Sequence, residues 1–149
     1  MVSLSESMNI EQLIQEFEDL GDWDDQCDYL IDLGRELPKL PDHAKTEEHR
    51  VRGCQSNVWL VSEVKAGSPP RLEFIANSDA IIVNGLIAVV TILYSGRTPQ
   101  EILEIDPRQV FARLGLERHL SSQRRNGLFG MVERIRHLAN EAAANSTAK

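Results

Sequence analysis

A chain of 149 residues with 42% hydrophobic and 26% charged side chains has the length and balance of one globular domain, not of a disordered or membrane-spanning protein. Its net charge of −7 is unevenly divided: residues 1–48 hold 14 acids against 3 Lys/Arg, and residues 49–149 hold 9 acids against 13. Aromatics are only 5% and the basic residues are scattered, which argues against nucleic acid. The charge split reads either as solvated helix faces or as two surfaces that orient a protein partner. The opening "MVSLSESMNIEQ" lacks the basic and apolar regions of an export signal, and the run Ala80 to Leu93 is too short to cross a bilayer. Two cysteines 27 residues apart then suit reduced thiols, and the expectation is a cytoplasmic protein.

Asn9 and Gln12 have capping-box spacing, and Ile10, Leu13, Ile14 and Phe17 follow at helical intervals. Gly21 ends that helix, and Asp22 caps a second one carrying Trp23, Cys27, Leu30, Ile31 and Leu37, halted by Pro38. "PKLPDHAKTEEH" reads as a surface loop with one short turn. Val58-Trp59-Leu60-Val61 is a β-prone apolar run, the pattern of a strand covered on both faces. "KAGSPPR" supplies a hairpin connection, and Leu72, Phe74 and Ala76 mark the buried face of the return strand. A third strand is weakly signalled around His49–Gly53.

Ser78 is expected to cap the next helix, with Asp79 in its first turn. Apolar residues from Ile81 to Leu93 cover nearly every side of it, the mark of a central core helix. Thr98-Pro99-Gln100-Glu101 is a capping box with proline at the first helical position, and Asp106-Pro107 repeats the cap-plus-proline signal. A last helix carries Leu128, Met131, Val132, Ile135, Leu138, Ala139 and Ala142, followed by a tail expected to fray. The expected fold is a single α+β domain over 1–149, ordered over 9–142, with a small antiparallel three-stranded sheet flanked by helices.

In "RVRGCQSNVW", Cys54 stands between a glycine and the polar triplet Gln55-Ser56-Asn57, with Arg50 and Arg52 close by. Local context supports two readings: a thiol presented on a turn, with arginines favouring its thiolate, or a small apolar residue at the start of a strand. Cys27 falls on the apolar stripe of a helix and reads as core packing. The dispersed histidines, His43, His49, His119 and His137, lack metal-ligand spacing. A Cys–His hydrolase would need His49 or His119 brought to the thiol by the fold.

"RGCQSNVWLV" resembles the GCQSxVW signature of the SufE family of sulfur acceptors in iron–sulfur cluster assembly. "WDDQCDYLIDLGRELPKLP", "NSDAIIVNGLIAVVTILYSGRTPQEI" and "HLSSQRRNGLFGMVERIRHLA" resemble further family blocks in the same order, together covering about residues 10–140. The resemblance implies the SufE/IscU-like α+β fold. It implies that Cys54 accepts the outer sulfur of a persulfide on a PLP-dependent, SufS- or CsdA-like cysteine desulfurase. It also implies stimulation of that enzyme and delivery of the sulfur to a cluster scaffold, without independent enzymatic turnover. The family's aspartate falls on Asp79 and its arginine on Arg124, with Arg125 adjacent. No cofactor or metal of its own is implied, since the PLP belongs to the desulfurase; the family likeness leaves a homodimer open. A scaffold would need several thiolates together, whereas a carrier of one sulfur needs one cysteine. A thiol hydrolase and a plain interaction module stand as the competing readings.

Overall fold

The computed structural model describes residues 9–51, 57–67 and 69–147. Two helices lead, α1 (Ile10–Leu20) and α2 (Trp23–Arg35). The expected capping box is formed: the Asn9 side chain accepts from the Gln12 N–H, and the Gln12 side chain accepts from the Asn9 N–H, both at 2.9 Å. Gly21 closes α1 at φ 71°, a left-handed angle that suits glycine because no Cβ meets the carbonyl. Asp22 caps α2 through the Asp24 N–H. Two short 3-10 turns follow, Asp42–Ala44 and Glu47–His49.

Strands β1 (Val58–Lys65) and β2 (Arg71–Ser78) pair antiparallel, in register from Val58↔Ser78 to Lys65↔Arg71. The described residues form a two-stranded sheet, not the expected three-stranded one. His49 belongs to a 3-10 turn, and the expected third strand is reduced to a single bridge, Arg50↔Trp59. The rest of that span, residues 52 and 53, lies outside the described residues. β1 also departs from the expectation of two covered faces. Val58 and Leu60 are buried while Trp59 and Val61 are half-buried, because helices cover only one side of the hairpin.

The buried side of the sheet meets α3 (Ile81–Tyr94), whose residues from Gly85 to Tyr94 are all buried, as its apolar circumference predicts. Its start differs from the expectation. Ser78 ends β2, Asp79 precedes the helix, and the N-cap position is Ala80 without a side-chain cap. Asn84 reaches back instead: its Oδ1 accepts from the Ser78 N–H at 2.7 Å and its Nδ2 donates to the Ser78 carbonyl at 3.0 Å. Those bonds satisfy the strand end that a capping serine would have left open.

Helix α2 crosses α3 with their glycines in contact. A Cβ on Gly34 would lie 2.7 Å from the Asn84 carbonyl carbon, and one on Gly85 only 2.6 Å from the Leu30 carbonyl oxygen. Neither position accepts a methyl unless the helices separate. The chain after α2 is tied down by buried Asn77, whose Oδ1 accepts from the Leu40 N–H at 2.6 Å and whose Nδ2 donates to the Pro38 carbonyl at 3.0 Å.

Helices α4 (Pro99–Glu104), α5 (Pro107–Arg113), α6 (Leu116–His119) and α7 (Ser122–Thr147) complete the fold. Thr98 and Glu101 form the predicted reciprocal cap, and Asp106 caps α5. The stripe of α7 is buried at Leu128, Met131, Val132, Ile135, Ala139 and Ala142, and Leu138 packs half-buried against the core. The helix continues to Thr147, through most of the tail expected to fray. Among the described residues no helix is long and apolar enough to cross a membrane.

Candidate functional site

Cys54 lies outside the described residues, but the chain on either side of it is held at defined points. On the near side, buried Val51 donates its N–H to the Val58 carbonyl at 2.8 Å, and Arg50 bridges to Trp59. On the far side, Asp79 grips Asn57. Its Oδ1 accepts from the Asn57 N–H at 3.2 Å, its Oδ2 accepts from the Asn57 Nδ2 at 2.9 Å, and its own N–H donates to the Asn57 carbonyl at 3.3 Å. Cys54 stands three residues from each anchor, Val51 and Asn57.

Asp79 therefore has a different task from the one expected of a first-turn carboxylate. It lies ahead of α3 and spends its oxygens on Asn57, the residue that leads into β1. Asn57 is the partner that sequence reasoning missed. A polar residue directly before an apolar strand was the available signal, but its carboxylate lies 22 residues further along.

The near side is braced by the 3-10 turns. Arg50 pairs with Glu47 at 3.2 Å, the Lys45 ammonium stands 5.6 Å from the Trp59 ring centroid, and Arg134 of α7 donates to the Glu48 carbonyl at 3.3 Å. His49 is half-buried, with Nδ1 2.9 Å from the Ala44 carbonyl. A carbonyl oxygen can only accept, so Nδ1 is the donor in this contact.

Arg124 and Arg125, adjacent in sequence, occupy the first turn of α7 and are both half-buried. The Arg124 N–H donates to the Ser121 Oγ at 3.2 Å. The Arg125 guanidinium donates to the Glu117 carbonyl at 3.2 Å, fastening α7 to α6. His119 stacks on Trp23 at 4.5 Å with the rings 7° from parallel, so this histidine joins α6 to α2.

Cys27 corrects the core assignment. It is half-buried and not in the packed interior, because its position on α2 falls at the edge of the apolar stripe. Burial raises its pKa, and the Asp28 and Asp24 carboxylates raise it further. A thiol so placed is a poor nucleophile at neutral pH. Among the described residues no three His, Cys, Asp or Glu side chains are grouped to hold a metal ion.

Residues 11–139 match the model of SufE, described as an Fe-S metabolism associated domain. An uncharacterized SufE-like protein of Rhizobium etli is 45% identical over 138 residues, covering 91% of this chain and 93% of its own. A second, of Rhizobium meliloti, is 43% identical over 129 residues, covering 86% and 92%. The solution structure of a hypothetical protein from Thermus thermophilus superposes with a TM-score of 0.73 over 97% of this chain and 99% of that one. At 20% identity that likeness concerns the fold alone. The match spanning most of the residues, and relatives at this identity along nearly their whole length, establish that the chain belongs to the SufE family, which is associated with Fe–S metabolism.

Proposed function

We propose that this protein is a sulfur carrier that takes the outer sulfur of a persulfide on a PLP-dependent cysteine desulfurase onto Cys54. Family membership carries the reading, and the two anchors that frame residues 52–56 support it. The Cys54 thiolate attacks the outer sulfur of the partner's persulfide. A new bond forms between that sulfur and Sγ, the sulfur–sulfur bond of the donor breaks, and the donor cysteine leaves as a thiolate. The proton on the outer sulfur travels with it, so charge and oxidation level balance. The carrier then passes the sulfur to an iron–sulfur scaffold complex by the same exchange, and clearing the loaded cysteine stimulates the desulfurase. A reducing compartment such as the cytoplasm suits a thiol that must stay free.

Asp79 acts as a positioning residue that holds Asn57, and hence the far end of the cysteine's segment. Arg124 is assigned the cation that favours the Cys54 thiolate, since a nearby guanidinium stabilises the charged form. Cys27 takes no part, given its raised pKa and its place on α2.

The test is the intact mass of the protein after incubation with a desulfurase, PLP and L-cysteine. The expected result is a gain of one sulfur atom per chain that reducing agent reverses, absent in Cys54→Ala and present in Cys27→Ser. Stimulation of the desulfurase by Cys54→Ala with no mass gain in the parent chain would overturn the carrier and leave an interaction module. Thioester or ester hydrolysis by the chain alone, lost in Cys54→Ala, would instead favour the hydrolase.

A further inference from the structure

A second place in the molecule gathers chemistry that sulfur transfer does not use. A pocket of about 380 Å³ opens where the α4–α5 junction meets α7. Its apolar part comes from Leu103, Ile105, Phe129 and Val132. Its charged wall holds two guanidinium groups, Arg108 and Arg136, and three carboxylates, Glu104, Asp106 and Glu133. Among the described residues no ion pair joins any of these five charges to another. Opposite charges held around one concavity without pairing leave both signs available to a ligand.

The individual groups are partly committed, in ways that orient them. Arg136 spends one N–H on the Leu103 carbonyl at 3.3 Å, which steadies a guanidinium that has further donors to offer. Arg108 lies 5.8 Å over the Phe129 ring. One Asp106 oxygen accepts the Arg108 N–H at the start of α5. Glu104 accepts from Gln100 at 3.3 Å, whereas Glu133 is exposed and makes no ion pair.

Tyr94, which does not line the pocket, is fully buried; its hydroxyl makes no well-formed hydrogen bond among the described residues, although the Arg136 guanidinium lies near it. Its electrostatic neighbours are Arg136, Asp106 and Glu133, three residues of the pocket wall.

We propose that this pocket binds a small zwitterion of the α-amino acid class with an apolar side chain. The carboxylate is taken by Arg136 with Arg108, the ammonium by Glu133 with Glu104, and the side chain by Phe129, Val132 and Ile105. A simple anion is disfavoured because the wall carries three carboxylates against two guanidinium groups. A simple cation leaves both arginines unanswered. The proposal is independent of the role of Cys54.

The test is a titration of the 15N-labelled full chain with L-leucine, with 4-methylpentanoate and 3-methylbutylamine as ligands that keep only one head group. Saturable shifts are expected at Ile105, Glu133 and Arg136 with a dissociation constant on the order of 1 mM, the scale for a ligand of this size. Each single-headed compound should bind at least about 10-fold more weakly, as should L-leucine to Glu133→Gln and Arg136→Gln. Absence of saturable shifts up to about 20 mM overturns the site. Equal binding by either single-headed compound overturns the zwitterion, and unchanged binding in both variants overturns the location. Should Arg136→Gln lose its fold with the Leu103 contact, Glu133→Gln decides alone, because its carboxylate is solvated and takes part in no ion pair.

Discussion

The crossing of α2 on α3 and the contact of Asn57 with Asp79 are built on opposite principles. At the crossing, Gly34 and Gly85 let two backbones touch, and Leu30, Leu33 and Leu86 close around them without solvent. At the second contact, an exposed carboxylate holds one asparagine through two side-chain acceptances and one backbone bond. The first contact has no tolerance for added atoms, whereas the second can be undone at the cost of a few solvated hydrogen bonds.

Breaking the crossing should give the largest effect. Gly85→Ala places a methyl within 2.6 Å of the Leu30 carbonyl oxygen, so the helices must part. A loss of about 3 kcal/mol or more is expected in urea unfolding. Gly34→Ala should behave alike, and the double variant should lose less than the sum because both relieve one contact.

A second effect tests the core by pH. Burial is the main cause that pushes the Tyr94 hydroxyl up to about 12. Its folded value lies above the unfolded one, so its contribution is intact below about pH 10 and is lost as pH rises toward 12. Unfolding measured at pH 8 and 11.5 should show a loss on the order of 2 kcal/mol in the parent chain that Tyr94→Phe reduces.

Asp79→Ala sharpens the comparison from the other side. Removing the two acceptances from Asn57 should cost about 1 kcal/mol or less in global stability, since the groups are exposed to water. Amide exchange at Asn57 should nevertheless quicken severalfold, while exchange at Leu86 to Val90 is unchanged. Equal acceleration in both places would mean that the two regions open together.

Thr98→Ala should cost about 1 kcal/mol by removing the side-chain cap of α4. The backbone N–H of Thr98, then its side chain, holds the Glu101 carboxyl below its usual range. That contribution is present above the unfolded carboxyl pKa and is lost as pH falls through the lower folded one, so Thr98→Ala should flatten part of the acid limb. Smallest of all, Arg113→Gln breaks the 3.2 Å pair with Glu11 that joins the basic half to the acidic one, and should change stability by less than about 0.5 kcal/mol.

Much of this architecture is legible in the chain alone. The caps at Asn9, Asp22, Thr98 and Asp106, the hairpin after Lys65 and the apolar girth of α3 are local signals, each written within a few residues. The misreadings lie where local signals were ambiguous. Ser78 and Asp79 look like a helix start, yet Asn84 takes the serine's backbone and Asn57 takes the aspartate. Cys27 follows the apolar stripe by spacing but sits at its edge, and the third strand shrinks to a bridge at Arg50. For Ser78 and Asp79, a residue with two acceptable local roles was assigned by a partner from elsewhere in the chain.

The sequence by itself determined most of the helix caps, the hairpin and the family signature around Cys54, because capping, periodicity and motif spacing act over short distances. Only the tertiary structure decided that Asp79 anchors the far end of that cysteine's segment, that two glycines set the spacing of the core helices, and that five charges with no ion pair among them face one pocket. Those facts depend on which surfaces meet, and that is settled by packing between residues far apart in the chain.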